Sequence, residues 1–135
     1  MARILVLNPS FQGLSIIVNV LNRVGPSESN DAGDVKVIQT LLRMIKSNFA
    51  KKVGLPSITG SYDGLTGFWI YDTQYFMKTK KGHPSVIVDG IVSPARGAVY
   101  AGGAPWTIVL FNSFAKGDSP VEYAAFLSSA SSDGI

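Results

Sequence analysis

Two Asp-Gly dipeptides, Asp63-Gly64 and Asp89-Gly90, flank an aromatic stretch of helical period, and a second stretch of helical period precedes them. An Asp side chain bonds backbone amides just ahead of it and Gly accepts a positive φ, so such a pair closes a tight turn without strain. Both dipeptides are therefore read as structural turns. From Asp34 onward Val35, Ile38, Leu41, Leu42, Ile45 and Phe49 recur at three and four, which puts them on one helix face. Asp34 suits the N-cap of that helix, and Lys51, Lys52 and Gly54 supply its stop. A second helix is expected from Gly67 to Lys80. After Gly82-His83-Pro84 and a short apolar run, Ser93 as N-cap and Pro94 at the first helical position predict a short third helix through Ala95, Ala98, Val99 and Tyr100.

The order Gly33-Asp34-Val35, Ile38-Gln39, Leu41-Leu42, then Tyr62-Asp63-Gly64 with Gly67, then Tyr75-Phe76, then Val88-Asp89-Gly90 with Val92 and Pro94, resembles the three-helix peptidoglycan-binding-like domain over roughly residues 33 to 100. The resemblance implies recognition of cell-wall peptide or glycan in a shallow groove beside the second helix, usually to deliver an attached hydrolase. Departures from the family pattern are Leu65-Thr66 in place of the usual aromatic between the glycines, and Asp72 in place of an alanine. Gln39 falls on the glutamine that follows an aliphatic residue in the family's first helix. On physical grounds alone it is a helix-face or loop-bonding residue as readily as a ligand contact.

Flanking segments differ in character. Arg3 to Leu7 and Ile16 to Leu21 are strand-like, separated by Asn-Pro-Ser and Gln-Gly turn signals, and form a hairpin or two separate strands. Residues 25–33 are dense in turn formers and read as a linker. Trp106 to Phe114 is apolar on both faces of a two-residue period and reads as a strand covered on both sides. Ser119-Pro120-Val121-Glu122 is a capping box that opens a last helix, and Ser128 to Ile135 is a small, polar tail expected to fray. The expected architecture is thus α+β: a three-helix core in residues 25–103, with a small sheet from the extensions 1–24 and 104–135, closed by the terminal helix.

Chemistry is sparse. With 135 residues and 46% hydrophobic content the chain buries a real core. It has no cysteine and one histidine, His83, which excludes thiolate chemistry and leaves little for a metal site. His83 lies between Gly and Pro in a lysine-rich loop, where an exposed loop residue competes with a general base. The carboxylates available to a two-acid glycosidase are Asp63, Asp72 and Asp89, two of them turn residues. No phosphate-binding or dinucleotide glycine pattern is present. The expectation is a non-catalytic protein with no cofactor and no metal.

The net charge of +3 is concentrated in Arg43, Lys46, Lys51 and Lys52 and in Lys78, Lys80 and Lys81, near predicted helix C-termini. There cations complement the helix dipole; an anionic partner is the alternative, without any accompanying nucleic-acid motif. The aromatic stripe of the second helix is core at Trp69 and Phe76, while Tyr71 and Tyr75 lie on a neighbouring, more exposed strip. Ligand contacts are expected at Gln39, Tyr62, Tyr71 and Tyr75. The N-terminal run is broken by Asn8 and Pro9, so it reads as a strand and not as a signal peptide, and no stretch reaches the length of a membrane span. The chain reads as made in the cytoplasm. A wall-contacting protein without an export signal fits a component of a particle, such as a phage tail, virion or contractile injection apparatus, where it meets other subunits of an oligomeric assembly. A free module that targets a separate hydrolase to the wall is the alternative.

Overall fold

The computed structural model describes residues 3–46, 54–96, 100–101 and 104–133. It is α+β. The chain opens with an antiparallel hairpin, β1 (Ile4–Phe11) and β2 (Leu14–Val18). Gln12 and Gly13 both take positive φ (49° and 82°), the combination a two-residue hairpin loop requires. Ile4 faces Val18, Leu5 faces Ile17 and Val6 faces Ile16, and the register shifts between Val6 and Phe11, where Asn8-Pro9 passes through β1. The predicted turn at Asn-Pro-Ser is thus absorbed as an irregularity within the strand.

Helix α1 runs from Ala32 to Met44 and helix α2 from Gly64 to Lys80. A two-residue ladder, β3 (Tyr100–Ala101) with β4 (Ala104–Pro105), leads into α3 (Thr107–Asp118) and α4 (Pro120–Asp133). One hydrophobic core draws on the hairpin and all four helices: Leu7, Ile17, Ile38, Leu41, Trp69, Met77, Leu110, Phe111, Tyr123 and Ala130 are all buried in it. The expected boundary at residue 104 therefore separates α3 from α1, the helix it packs against most extensively. The core does not end at that boundary.

Four local expectations are corrected. The predicted strand Trp106 to Phe114 is helical. Its both-sided apolar character is what a helix buried all round also shows, and Ile108, Val109, Leu110, Phe111, Asn112 and Ala115 are all buried in α3. The predicted third helix does not start at Ser93-Pro94, since residues 93–96 are not helical and Tyr100 lies in β3; positions 97–99 fall outside the described residues. There the side chain of Asn19 holds both backbone groups of Ala95, accepting from its N–H and donating to its carbonyl, each at 3.0 Å. Asp34 is not the N-cap of α1: that place is Asp31, and Asp34 is buried inside the first turn. Finally, α1 stops at Met44, short of Phe49, which lies outside the described residues. The Met44 carbonyl is taken by Ser119 Oγ at 2.9 Å instead of by a further turn of helix.

The C-terminal helix opens at Pro120 as expected, yet Ser119 spends its hydroxyl on Met44 and the helix continues to Asp133 with Ala130 buried, where fraying was expected. A polar knot ties this end to the hairpin. Asn112 Oδ1 accepts from Val18 N–H (2.9 Å) and Tyr123 Oη (2.6 Å), while its Nδ2 donates to the carbonyls of Val18 (2.9 Å) and Ile108 (2.8 Å). Burial pushes the Tyr123 phenol well above its ordinary range, so it stays a neutral donor. Tyr123→Phe is expected to lower stability by about 1 kcal/mol, the usual worth of one buried bond whose acceptor keeps a second donor, as read from the urea midpoint.

Candidate functional site

Two buried glutamines shape the surface around α2. Gln39, on α1, accepts through Oε1 from the N–H groups of Thr59 (2.9 Å) and Gly60 (3.0 Å). Its Nε2 lies within bonding distance of Ser61 O (3.1 Å), Thr59 Oγ1 (3.3 Å) and Thr66 Oγ1 (3.1 Å). Gln74, on α2, does the same one helix later. Its Oε1 accepts from Gly90 N–H (2.8 Å), and its Nε2 reaches Ile91 O (3.0 Å), Asp89 Oδ1 (3.3 Å) and Thr107 Oγ1 (3.1 Å). In each clamp the glycine has positive φ (80° at Gly60, 75° at Gly90), and the threonine belongs to the first turn of the next helix.

The repeat therefore equates Thr59-Gly60 with Asp89-Gly90. Asp63-Gly64, expected to be the partner turn, has a different job: Asp63 caps α2, its carboxylate accepting from Thr66 N–H at 2.8 Å, and Gly64 is already helical. That bond holds the Asp63 carboxyl below its ordinary range, which suits a fixed cap and not a proton donor. Asp89 keeps the turn role, accepting from Ile91 N–H at 2.9 Å.

Of the four expected ligand contacts, three come together and one does not. Gln39 is wholly buried and all its polar atoms serve the clamp, so it presents nothing to a ligand. The loop-bonding alternative is the one the structure takes. Tyr71 and Tyr75, one turn apart on α2, are 53% and 54% exposed. Tyr62 lies over Gly67, where an added Cβ would come within 2.5 Å of its hydroxyl. Since Gly67 is one turn before Tyr71, Tyr62 sits at the N-terminal end of the same face. Burial, then the neighbouring Asp63 charge, raises the Tyr62 pKa.

Phe68 completes the strip at 45% exposure, three residues before Tyr71, and Leu65 extends it. The opposite side of α2 is core, with Trp69, Ile70, Thr73, Gln74, Phe76 and Met77 buried. A place on the strip beside the core stripe is the sequence signal that singled out Tyr71 and Tyr75, and by its exposure Phe68 shares that strip. Lys78 and Lys80 occupy the last turn of α2, and Lys81 stands 5.6 Å above the Phe76 ring.

His83, expected as an exposed loop residue or a base, is half-buried between Phe11 and Phe114, with ring centroids 6.4 and 6.0 Å away. Burial lowers its pKa, so the imidazole favours its neutral, packed form. Among the described residues no group of three His, Asp or Glu side chains is placed to hold a metal ion, and no helix is long and apolar enough to cross a membrane. The chain matches no protein-family model, no curated protein sequence and no solved structure with which it was compared.

Proposed function

We propose that the chain is a non-catalytic module of the peptidoglycan-binding-like type, which meets cell-wall polymer through the aromatic face of α2 and works as a structural or wall-contacting part of a larger assembly, such as a phage tail or contractile injection apparatus. The observation that carries this reading is the strip Tyr62, Phe68, Tyr71 and Tyr75. Phe68, Tyr71 and Tyr75 are half-exposed and spaced by a helical turn, with Tyr62 packed beside the start of the helix, and such rings offer flat apolar faces to sugar rings, the tyrosines adding hydroxyls for their substituents. Such a strip on a helix whose other face is core has few intramolecular uses. The glutamine clamps support the reading, because they fix the loops at both ends of α2 and so fix the strip.

The test is sedimentation of the full chain with purified peptidoglycan, with its mass in solution measured by light scattering on the same sample. The wild-type chain is expected to sediment with the wall. Tyr71→Ala with Tyr75→Ala is expected to weaken binding by about tenfold or more, the loss of two aromatic contacts, without moving the thermal midpoint. A defined oligomer or filament that ignores the wall would overturn the wall-contacting role and leave the building-block role alone.

A further inference from the structure

The segments 19–24 and 92–96 run side by side and are fastened at two points. At one end Val24 and Val92 exchange both backbone hydrogen bonds, at 3.0 and 2.8 Å. At the other end Asn19 grips Ala95 through its side-chain amide. Between these fasteners the segments diverge, because the N–H groups of Leu21 and Asn22 turn instead to the buried Asp34 carboxylate, at 2.9 and 3.0 Å. The gap is a cleft of about 170 Å³. Its polar lining is Asn22, Arg23, Ser93 and Arg96, and Trp106 forms an apolar wall.

We infer that this cleft binds an oxyanion, a carboxylate or phosphate carried on a small apolar or ring-shaped body. Two arginines line it and no acidic residue does. Arg23 is only loosely held by Glu28, at 3.9 Å with most of the Arg23 side chain in solvent, so that pairing offers little competition. Of the other nearby acids, Asp31 accepts from Asn22 Nδ2 at 2.7 Å and the buried Asp34 is paired with Arg3. Guanidinium forks match the geometry of carboxylate and phosphate oxygens, and a hydroxyl and an amide beside them add neutral donors. The indole of Trp106 gives the body of the ligand a flat surface.

Pre-organisation strengthens the argument. The two arginines sit on separate segments fastened at Val24–Val92 and Asn19–Ala95, with Arg23 next to one fastener and Arg96 next to the other, so their spacing is largely set before a ligand binds. The cleft is made by residues outside α2. It stands independently of the tyrosine strip.

The test uses the full chain and three probes: N-acetyl-alanyl-alanine, its C-terminal amide, and phenyl phosphate, read by tryptophan fluorescence and calorimetry. Trp106 lines the cleft whereas Trp69 is buried in the core; because Trp106 also borders a second cavity beside Asp89 and Thr107, the fluorescence change reports on this site where the arginine variants weaken it. Saturable binding is expected for at least one anion and not for the amide; which anion binds distinguishes a peptide terminus from a phosphate ester. Arg23→Gln and Arg96→Gln are each expected to weaken it about tenfold or more, the loss of one charge-assisted bond. Tyr71→Ala with Tyr75→Ala should leave it unchanged. Equal binding of the amide, no saturable binding of either anion, or unchanged affinity in both arginine variants with an unchanged thermal midpoint would each overturn the inference.

Discussion

Gln74→Ala is expected to destabilise the fold by about 3 to 5 kcal/mol, more than almost any other polar substitution in the chain. The side chain is fully buried, and its loss strands the Gly90 N–H, the Ile91 carbonyl and the Thr107 hydroxyl, with a cavity the size of the missing amide. A buried group left without a partner costs about 1 to 3 kcal/mol, and three are affected at once. Gln74→Glu separates bonding from packing. It keeps the volume and the acceptor for Gly90 but sets a carboxylate against the Ile91 carbonyl and the Asp89 carboxylate, so it is expected to be no more stable than the alanine variant. Urea unfolding of both, with matching m-values, measures this. A loss below about 1 kcal/mol would mean that water or a shifted loop replaces the clamp.

Gln74 also marks a limit of the sequence. It lies four residues after Ile70 and three before Met77, on the core face of α2, so the helical period already places a lone amide among apolar neighbours. Nothing local says which loop it holds, because Asp89, Gly90 and Thr107 are brought to it only by the turn of the chain. The two N-terminal strands were legible from the Gln-Gly signal and the β-branched run, with the hairpin one of two open pairings, and α1 and α2 from their apolar spacing. By contrast α3 was not. A run of Ile, Val, Leu and Phe that is buried all round has no polar face to reveal its period, and β-branched residues then argue for a strand. Ser93-Pro94 failed for another reason: its local preference to start a helix meets the Asn19 side chain, from 76 residues away in sequence, which takes the backbone at Ala95. At the candidate site, exposure of Tyr71 and Tyr75 followed from the period. Burial of Gln39 depended on a loop 20 residues away.

Asp34→Ala is expected to cost a comparable 3 to 5 kcal/mol, by a different route. The Asp34 carboxylate is entirely buried beneath the start of α1 and receives three donors: the Arg3 guanidinium, the Leu21 N–H and the Asn22 N–H. These come from the hairpin and from the chain leaving it, so one carboxylate fastens the N-terminal segment to the helical layer. Removing it takes from the Arg3 charge, only 10% exposed at its side chain, the carboxylate it bonds. Arg3→Met makes the complementary change, leaving a carboxylate that still has two amide donors, and is expected to be the milder of the two. The double variant is the decisive case. If the ion pair dominates, its loss is smaller than the sum of the single losses by about 1 to 3 kcal/mol, because neither charge is left stranded. If the losses add, the backbone amides of Leu21 and Asn22 are the groups that matter, and the carboxylate works as a cap for the chain leaving the hairpin.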